Sequence, residues 1–204
     1  SHLLLSNDLD TLLANFLASK CKGIPLVYDS HELFPEAPEL IHRPAKKKIW
    51  ESLERWILPK IKYSYTVCHS IAEFYMDRYS IAMKVVRNVP YLSPSSSTLN
   101  SSKTIIYQGG MNPGRGLELA IEMMCYLDDF KLKIIGKGDE LKALKALAQQ
   151  KGVEHKVEFL GRLPFNDLKA HTEQAGIGIL FEEPIGLSFE YSLPNKLFDY
   201  IHAD

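Results

Sequence analysis

The chain of 204 residues contains no run that approaches the length of a membrane-crossing helix, which takes about eighteen or more consecutive apolar residues. No secretory leader pattern opens it either. It has only three cysteines, Cys21, Cys68 and Cys125, far apart and without a C-x-x-C pair. That spacing argues against a disulfide framework or a thiolate metal site, and buried free thiols in a reducing cytoplasm are expected. Charge of one sign is not in excess: the formal net charge is −1. A basic nucleic-acid footprint and an acidic disordered composition are therefore both excluded. Internal repeats are absent. What is present is ample apolar content, 46% of residues, enough for one large core or two smaller ones.

The most informative stretch runs from Thr104 to Leu119. Thr104–Tyr107 is β-branched and aromatic and reads as a buried strand. Gly109, Gly110, Gly114 and Gly116 then break the backbone, and Leu117, Ala120, Ile121 and Met124 start a helical apolar pattern. Strand, glycine loop and helix is a layout that aims backbone N–H groups at an anion. Arg115 lies in that loop and is suited to bidentate phosphate pairing. Close packing alone is the alternative reading of such a turn. Two sharper motifs fail. In G-x-G-x-x-G the third position is Leu119, and in the P-loop pattern Gly114 is followed by Arg115-Gly116 instead of Lys-Ser/Thr.

Strands alternate with helices along the rest of the chain. In the first half, strands are expected at Ser1–Leu5, Ile24–Tyr28, Ser64–Cys68 and Lys84–Arg87. Asn7, Asp8 or Asp10 caps the first helix, and Gly23 ends it. A helix over Ala45–Leu58 is expected to turn Ile49, Trp50, Leu53, Trp56 and Ile57 inward. Its Lys46-Lys47-Lys48 run reads as a solvated face, with a membrane-surface role as the alternative because basic residues flank two tryptophans. Ser93–Ser102 is the clearest linker. The expected organisation is a first unit over 1–92, a linker over 93–103 and a second unit over 104–204. In the second unit strands are expected at Lys131–Ile135, Val157–Leu160 and Gly176–Phe181, with helices between and a last one over Lys196–His202. The fold class is thus α/β, with two parallel-sheet Rossmann-like units and a ligand at the carboxyl ends of the strands.

Several stretches carry a resemblance. Asn7–Leu13, Val27–Glu36, Asn88-Val89-Pro90, Gln108–Gly116, Ile134–Gly138, Phe159-Leu160-Gly161 and Leu193–Tyr200 are together similar to a bacterial subgroup of the group 1 retaining glycosyltransferases, family four, which have the two-domain GT-B fold. The resemblance implies transfer of a sugar from a nucleotide-diphosphate donor to a glycan or lipid-linked acceptor in cell-surface polysaccharide biosynthesis. It implies no metal or other cofactor, no nucleic-acid partner, and a cytoplasmic location, with peripheral membrane contact as an option. Relatives are longer, so both units are expected to be incomplete.

It also assigns roles residue by residue. Gly110, Arg115, Asn195 and Lys196 would hold the donor phosphates, although Gly110 stands where many relatives have an arginine. Gly161, Arg162 and Leu163 would hold the base, and Asp199, the second position of the family's E-x7-E pair, the ribose. Tyr191 takes the first glutamate's place with Glu190 beside it, in the donor-sugar region. His31 would touch the transferred sugar, with Asp29 and Glu32 as neighbours able to orient its ring. An exposed lysine, a helix-face carboxylate and a capped loop histidine are the plain alternatives for Lys196, Asp199 and His31. Two other functions stay open: a non-catalytic nucleotide-sugar-binding module, and a nucleotide-sugar 2-epimerase.

Overall fold

The computed structural model describes residues 2–90 and 102–203. Most of the linker expected at 93–103 lies outside the described residues. The chain divides into two units, Ser1–Asn88 with Pro184–Leu193, and Val89–Glu183 with Pro194–Asp204. Pro184–Leu193, read from sequence as part of the second unit, belongs to the first.

The first unit carries a four-stranded parallel sheet of β1 (Leu4–Asn7), β2 (Leu26–Ser30), β3 (Tyr63–Thr66) and β4 (Lys84–Val85), in that order. Leu4 pairs with Leu26 and Val27 with Tyr63. Helix α1 (Asp8–Lys22) connects β1 to β2 and ends at Gly23 in the left-handed conformation, φ 63°. No side chain caps its start. Thr11 Oγ1 donates back to the Asn7 carbonyl at 2.7 Å instead. After β2 come α2 (Pro38–Ile41), α3 (Pro44–Ile57) and, beyond β3, α4 (His69–Tyr79). Leu9, Leu12, Phe16, Tyr28, Ile57, Ile71 and Tyr75 form the buried core. These are the repeating apolar positions of α1 and α4 laid on an apolar strand, the arrangement that parallel sheets require.

The second unit repeats the plan. Its strands are β5 (Thr104–Gln108), β6 (Lys131–Ile135), β7 (Val157–Gly161) and β8 (Ile177–Gly178), ordered β7-β6-β5-β8 and all parallel. Between them lie α5 (Leu117–Met123), α6 (Leu141–Gln150) and α7 (Phe165–Glu173). The short α8 (Leu187–Glu190) joins the first unit, and α9 (Asn195–Ala203) returns to the second. Ile105, Tyr107, Ile121, Leu132, Ile134 and Leu144 centre the core.

Four local expectations are corrected. The helix expected over Gly116–Tyr126 is α-helical for only seven residues and then tightens into a 3₁₀ turn over Met124–Tyr126. The strand expected over Gly176–Phe181 pairs only at Ile177–Gly178. Ile49 and Trp56 point outward, 61% and 47% exposed. Of the three free cysteines only Cys68 is buried; Cys21 and Cys125 are exposed.

Candidate functional site

In the second unit the loops after β5, β6 and β7 are tied edge to edge through the backbone. The Gly109 N–H donates to Ile135 (2.9 Å), Met111 to Lys137 (3.0 Å) and Gly136 to Gly161 (2.8 Å). This tier sits at the carboxyl ends of the strands, where open parallel sheets bind ligands. Glycine is obligatory at Gly136: its φ is +147°, and a Cβ there would lie 1.8 Å from the Gly109 carbonyl oxygen. Gly116 is similar, with φ +61° and Phe181 where a Cβ would go, 2.6 Å away. So these glycines serve close approach of backbone, and the loop shape follows from it.

Against this tier stand two cations and one carboxylate. Arg115 Nη1 donates to Glu182 Oε1. Lys196 Nζ, from the first turn of α9, lies 3.6 Å from the same oxygen. It is also 3.5 Å from the Tyr107 hydroxyl and 4.6 Å above that ring. Tyr107 in turn donates to the Gly110 carbonyl at 2.7 Å. Side-chain exposures of 28% for Arg115, 10% for Lys196 and 11% for Glu182 make this a largely desolvated group. Burial lowers the Lys196 pKa to about 8, with Arg115 pushing the same way and Glu182 opposing both. Two cations therefore converge on the Glu182 carboxylate in a partly dry site, and convergent cations are the chemistry of anion binding.

Asp199 lies one turn further along α9. Its Oδ2 accepts from Gln108 Nε2 at 2.6 Å, and Gln108 Oε1 accepts from Thr172 at 2.7 Å. The Gln108 N–H reaches the Tyr200 hydroxyl at 3.1 Å. Burial raises the Asp199 pKa, and the Gln108 bond opposes that rise.

The structure thus joins Gly110, Arg115 and Lys196 through Tyr107 and Glu182, with exposed Asn195 next to Lys196. Asp199 is joined to β5 through Gln108. Gly161 takes part through its carbonyl, Arg162 is exposed and Leu163 half-buried. Glu190 and Tyr191 belong to the first unit. The Tyr191 carbonyl there accepts from Cys68 Sγ at 3.1 Å.

The first unit holds its own polar cluster, again at the carboxyl ends of its strands. His31 Nε2 contacts Asp29 Oδ2 at 2.8 Å, and Tyr65 OH donates to that same oxygen at 2.8 Å. The His31 N–H donates to Asp8 Oδ1 at 2.9 Å. Asp8 has φ +57°, rare for a residue with a side chain, and burial raises its pKa. The imidazole stays 46% exposed while Asp29 is buried. Asp29 therefore orients the ring, with Asp8 fixing the backbone beneath it.

Sequence reasoning missed Tyr107, Gln108, Glu182, Thr172, Asp8 and Tyr65 as parts of these clusters. Tyr107, Gln108, Asp8 and Tyr65 stand at or next to strand ends, and naming strand-end residues would have found them, whereas Glu182 lies in the loop well past β8. Thr172, in the last turn of α7, gave no signal. Among the described residues no group of three or more His, Cys, Asp or Glu could hold a metal ion.

The fold is that of the GT-B glycosyltransferases. The family model "Glycosyl transferases group 1" matches residues 93–189. Anabaena HepE in complex with UDP-glucose superposes with a TM-score of 0.74 at 16% identity, over 99% of this chain and 57% of that one. The pneumococcal O-GlcNAc transferase GtfA, in complex with UDP and GlcNAc, gives 0.68 at 12% identity, over 98% and 40%. TarM of S. aureus gives 0.67 at 12% identity, over 87% and 36%. The chain thus spans about a third to just over half of the length of these proteins. No curated protein matches it in sequence.

Proposed function

We propose that this chain is the donor-binding and sugar-transferring part of a glycosyltransferase. It would take a sugar from a nucleotide-diphosphate donor to a glycan or lipid-linked acceptor with retention, in cell-surface polysaccharide biosynthesis. The observation that carries the proposal is the Arg115–Glu182–Lys196 group. A leaving diphosphate gains negative charge in the transition state, and preplaced cations stabilise it there without reorganisation. Two cations also supply the charge that a metal ion would otherwise bring. In this reading Gly110 and Asn195 add polar contacts to the phosphates. Asp199 accepts from the ribose, and Gly161, Arg162 and Leu163 face the base. His31, held by Asp29, contacts the transferred sugar, with Glu190 and Tyr191 in the donor-sugar region. The match to group 1 glycosyl transferases and the UDP complexes of HepE and GtfA support the donor class.

Calorimetric titration of UDP tests the donor site. Arg115→Ala should weaken binding by roughly 1.5–3 kcal/mol, the range for hydrogen bonds to charged groups, or about ten- to a hundredfold in Kd. Unchanged affinity in the folded variant would remove Arg115 from the site. The lost arginine at Gly110 favours a second reading, a nucleotide-sugar-binding module without turnover.

A further inference from the structure

A chain of hydroxyls runs through the core of the first unit, and it starts at a buried carboxyl group. Glu54 of α3 is 1% exposed. Its two oxygens meet the hydroxyls of Tyr75 at 3.0 Å and Tyr79 at 2.7 Å, both from α4. The Tyr75 hydroxyl lies 3.1 Å from Ser30 Oγ, and Ser30 Oγ donates to the Glu32 carbonyl at 3.0 Å. Ser30 and Glu32 bracket His31. Tyr75 and Ser30 are fully buried. Alternation along β2 sends Tyr28 and Ser30 to this side and Asp29 to the other, where Asp29 meets the His31 ring. The histidine is thus held by its ring through Asp29 and by its flanking backbone through Ser30.

Stability alone does not call for this arrangement. An apolar residue at position 54 would avoid the cost of burying a carboxyl group. Arg78 of α4 does not offset that cost by contact, because it is spent on Glu51 at 2.9 Å and Glu36 at 3.8 Å. Burial raises the Glu54 pKa to about 7, opposed by Tyr79, Tyr75 and Arg78 and helped by Glu51. Tyr28, from β2, faces the same group. Burial raises its phenol and those of Tyr75 and Tyr79, so all three stay protonated. Glu54 is then the member of the group that changes charge near neutrality.

Counting protons shows what that change does. Each hydroxyl has one proton to give. With Glu54 protonated, Glu54 donates to the Tyr75 oxygen, Tyr75 to Ser30 and Ser30 to the Glu32 carbonyl, so every link is served. With Glu54 ionised, Tyr75 gives its proton to the carboxylate. The Tyr75 oxygen and the Glu32 carbonyl then compete for the one Ser30 proton. In a dry core such linked bonds rise and fall together. We infer that Glu54 is a positioning residue for His31: its ionisation sets the direction of the Tyr75–Ser30–Glu32 chain, and with it the bond that clasps the loop carrying His31. The effect on sugar transfer rests on the reading of His31 as the residue that contacts the sugar, whereas the chain itself can be tested without that reading.

The test follows the Glu32 carbonyl carbon of the full chain by NMR across neutral pH, in a His31→Gln background that removes the imidazole's own titration. The resonance should move upfield with a midpoint at about pH 7, as the bond from Ser30 is lost. Adding Glu54→Gln, whose amide stays neutral, should hold it still. Tyr75→Phe keeps the ring and removes the linking hydroxyl; it should hold the resonance still too, and it decides the matter if Glu54→Gln does not fold. A resonance that stays fixed in the His31→Gln chain overturns the inference, as does one that moves equally with Glu54→Gln or Tyr75→Phe added. With His31 in place, the ratio of kcat in Glu54→Gln to kcat in the parent should rise several-fold from pH 6 to pH 8, with KM for a UDP-sugar alike in both. A constant ratio in a chain that transfers sugar would overturn the link to His31. A parent without turnover would refute the transfer reading instead, and the carbonyl titration would still decide the hydroxyl chain.

Discussion

Lys196 is the residue on which the donor site turns. A lysine at the surface keeps its charge to above pH 10, but burial brings this one to about 8. Its affinity for a diphosphate should therefore fall as pH rises through about 8, where the ammonium loses its proton. Lys196→Ala should bind weakly at every pH and show no such step. Titrations of UDP at pH 7 and pH 9 check this: a step that survives in Lys196→Ala would assign it to another group. The sequence pointed to Arg115 by its place in the glycine loop, and to Lys196 by the family resemblance and its place at a helix start. It did not show that they share Glu182. That pairing joins residues 67 positions apart in the case of Arg115, and nothing local encodes such a meeting. Asp199 is the same kind of case. Its helix position was legible, but its bond to Gln108 came only with the packing of α9 against β5.

At the scale of elements, α3 is held to the first unit by a buried carboxylate. Glu54 accepts from Tyr75 at 3.0 Å and Tyr79 at 2.7 Å, and Tyr75 in turn meets Ser30 at the end of β2 at 3.1 Å. Burial raises the Glu54 pKa from 4.5 to about 7, against the pull of the two tyrosines and Arg78. The folded state then binds a proton more tightly than the unfolded chain. Its contribution is complete below about pH 4.5 and is lost as pH rises to about 7. At about 1.4 kcal/mol per pKa unit the loss is up to about 3 kcal/mol. Denaturant unfolding across that range should show a larger decline in the parent than in Glu54→Gln; identical slopes would contradict the assignment. The apolar periodicity of α3 was legible, but its direction was not. With two glutamates and two tryptophans spread round the helix, the period fits either face. The buried Glu54 shows that hydrogen-bonding tyrosines from α4 decided it. The seven-residue α5 and the two-residue β8 were likewise overestimated, since apolar runs continue past the last backbone pairing.

For the whole molecule, the alternation of strands and helices specified two parallel sheets, and both formed in the expected chain order. Parallel strands buried on both faces are short apolar runs between helices, a strong local signal. Membership of Pro184–Leu193 was not legible. It follows the last strand of the second unit, yet Leu187, Tyr191 and Leu193 pack on the first unit's core. The function proposed for the molecule is sugar transfer, and it has two competitors that also bind nucleotide sugars. Proton NMR of a UDP-sugar incubated with the chain, with and without a glycan acceptor, separates all three. Sugar transfer predicts free UDP and a released or transferred sugar whose first-formed anomer matches the donor. A donor that binds and stays intact, or one that turns into an isomeric nucleotide sugar, would contradict it.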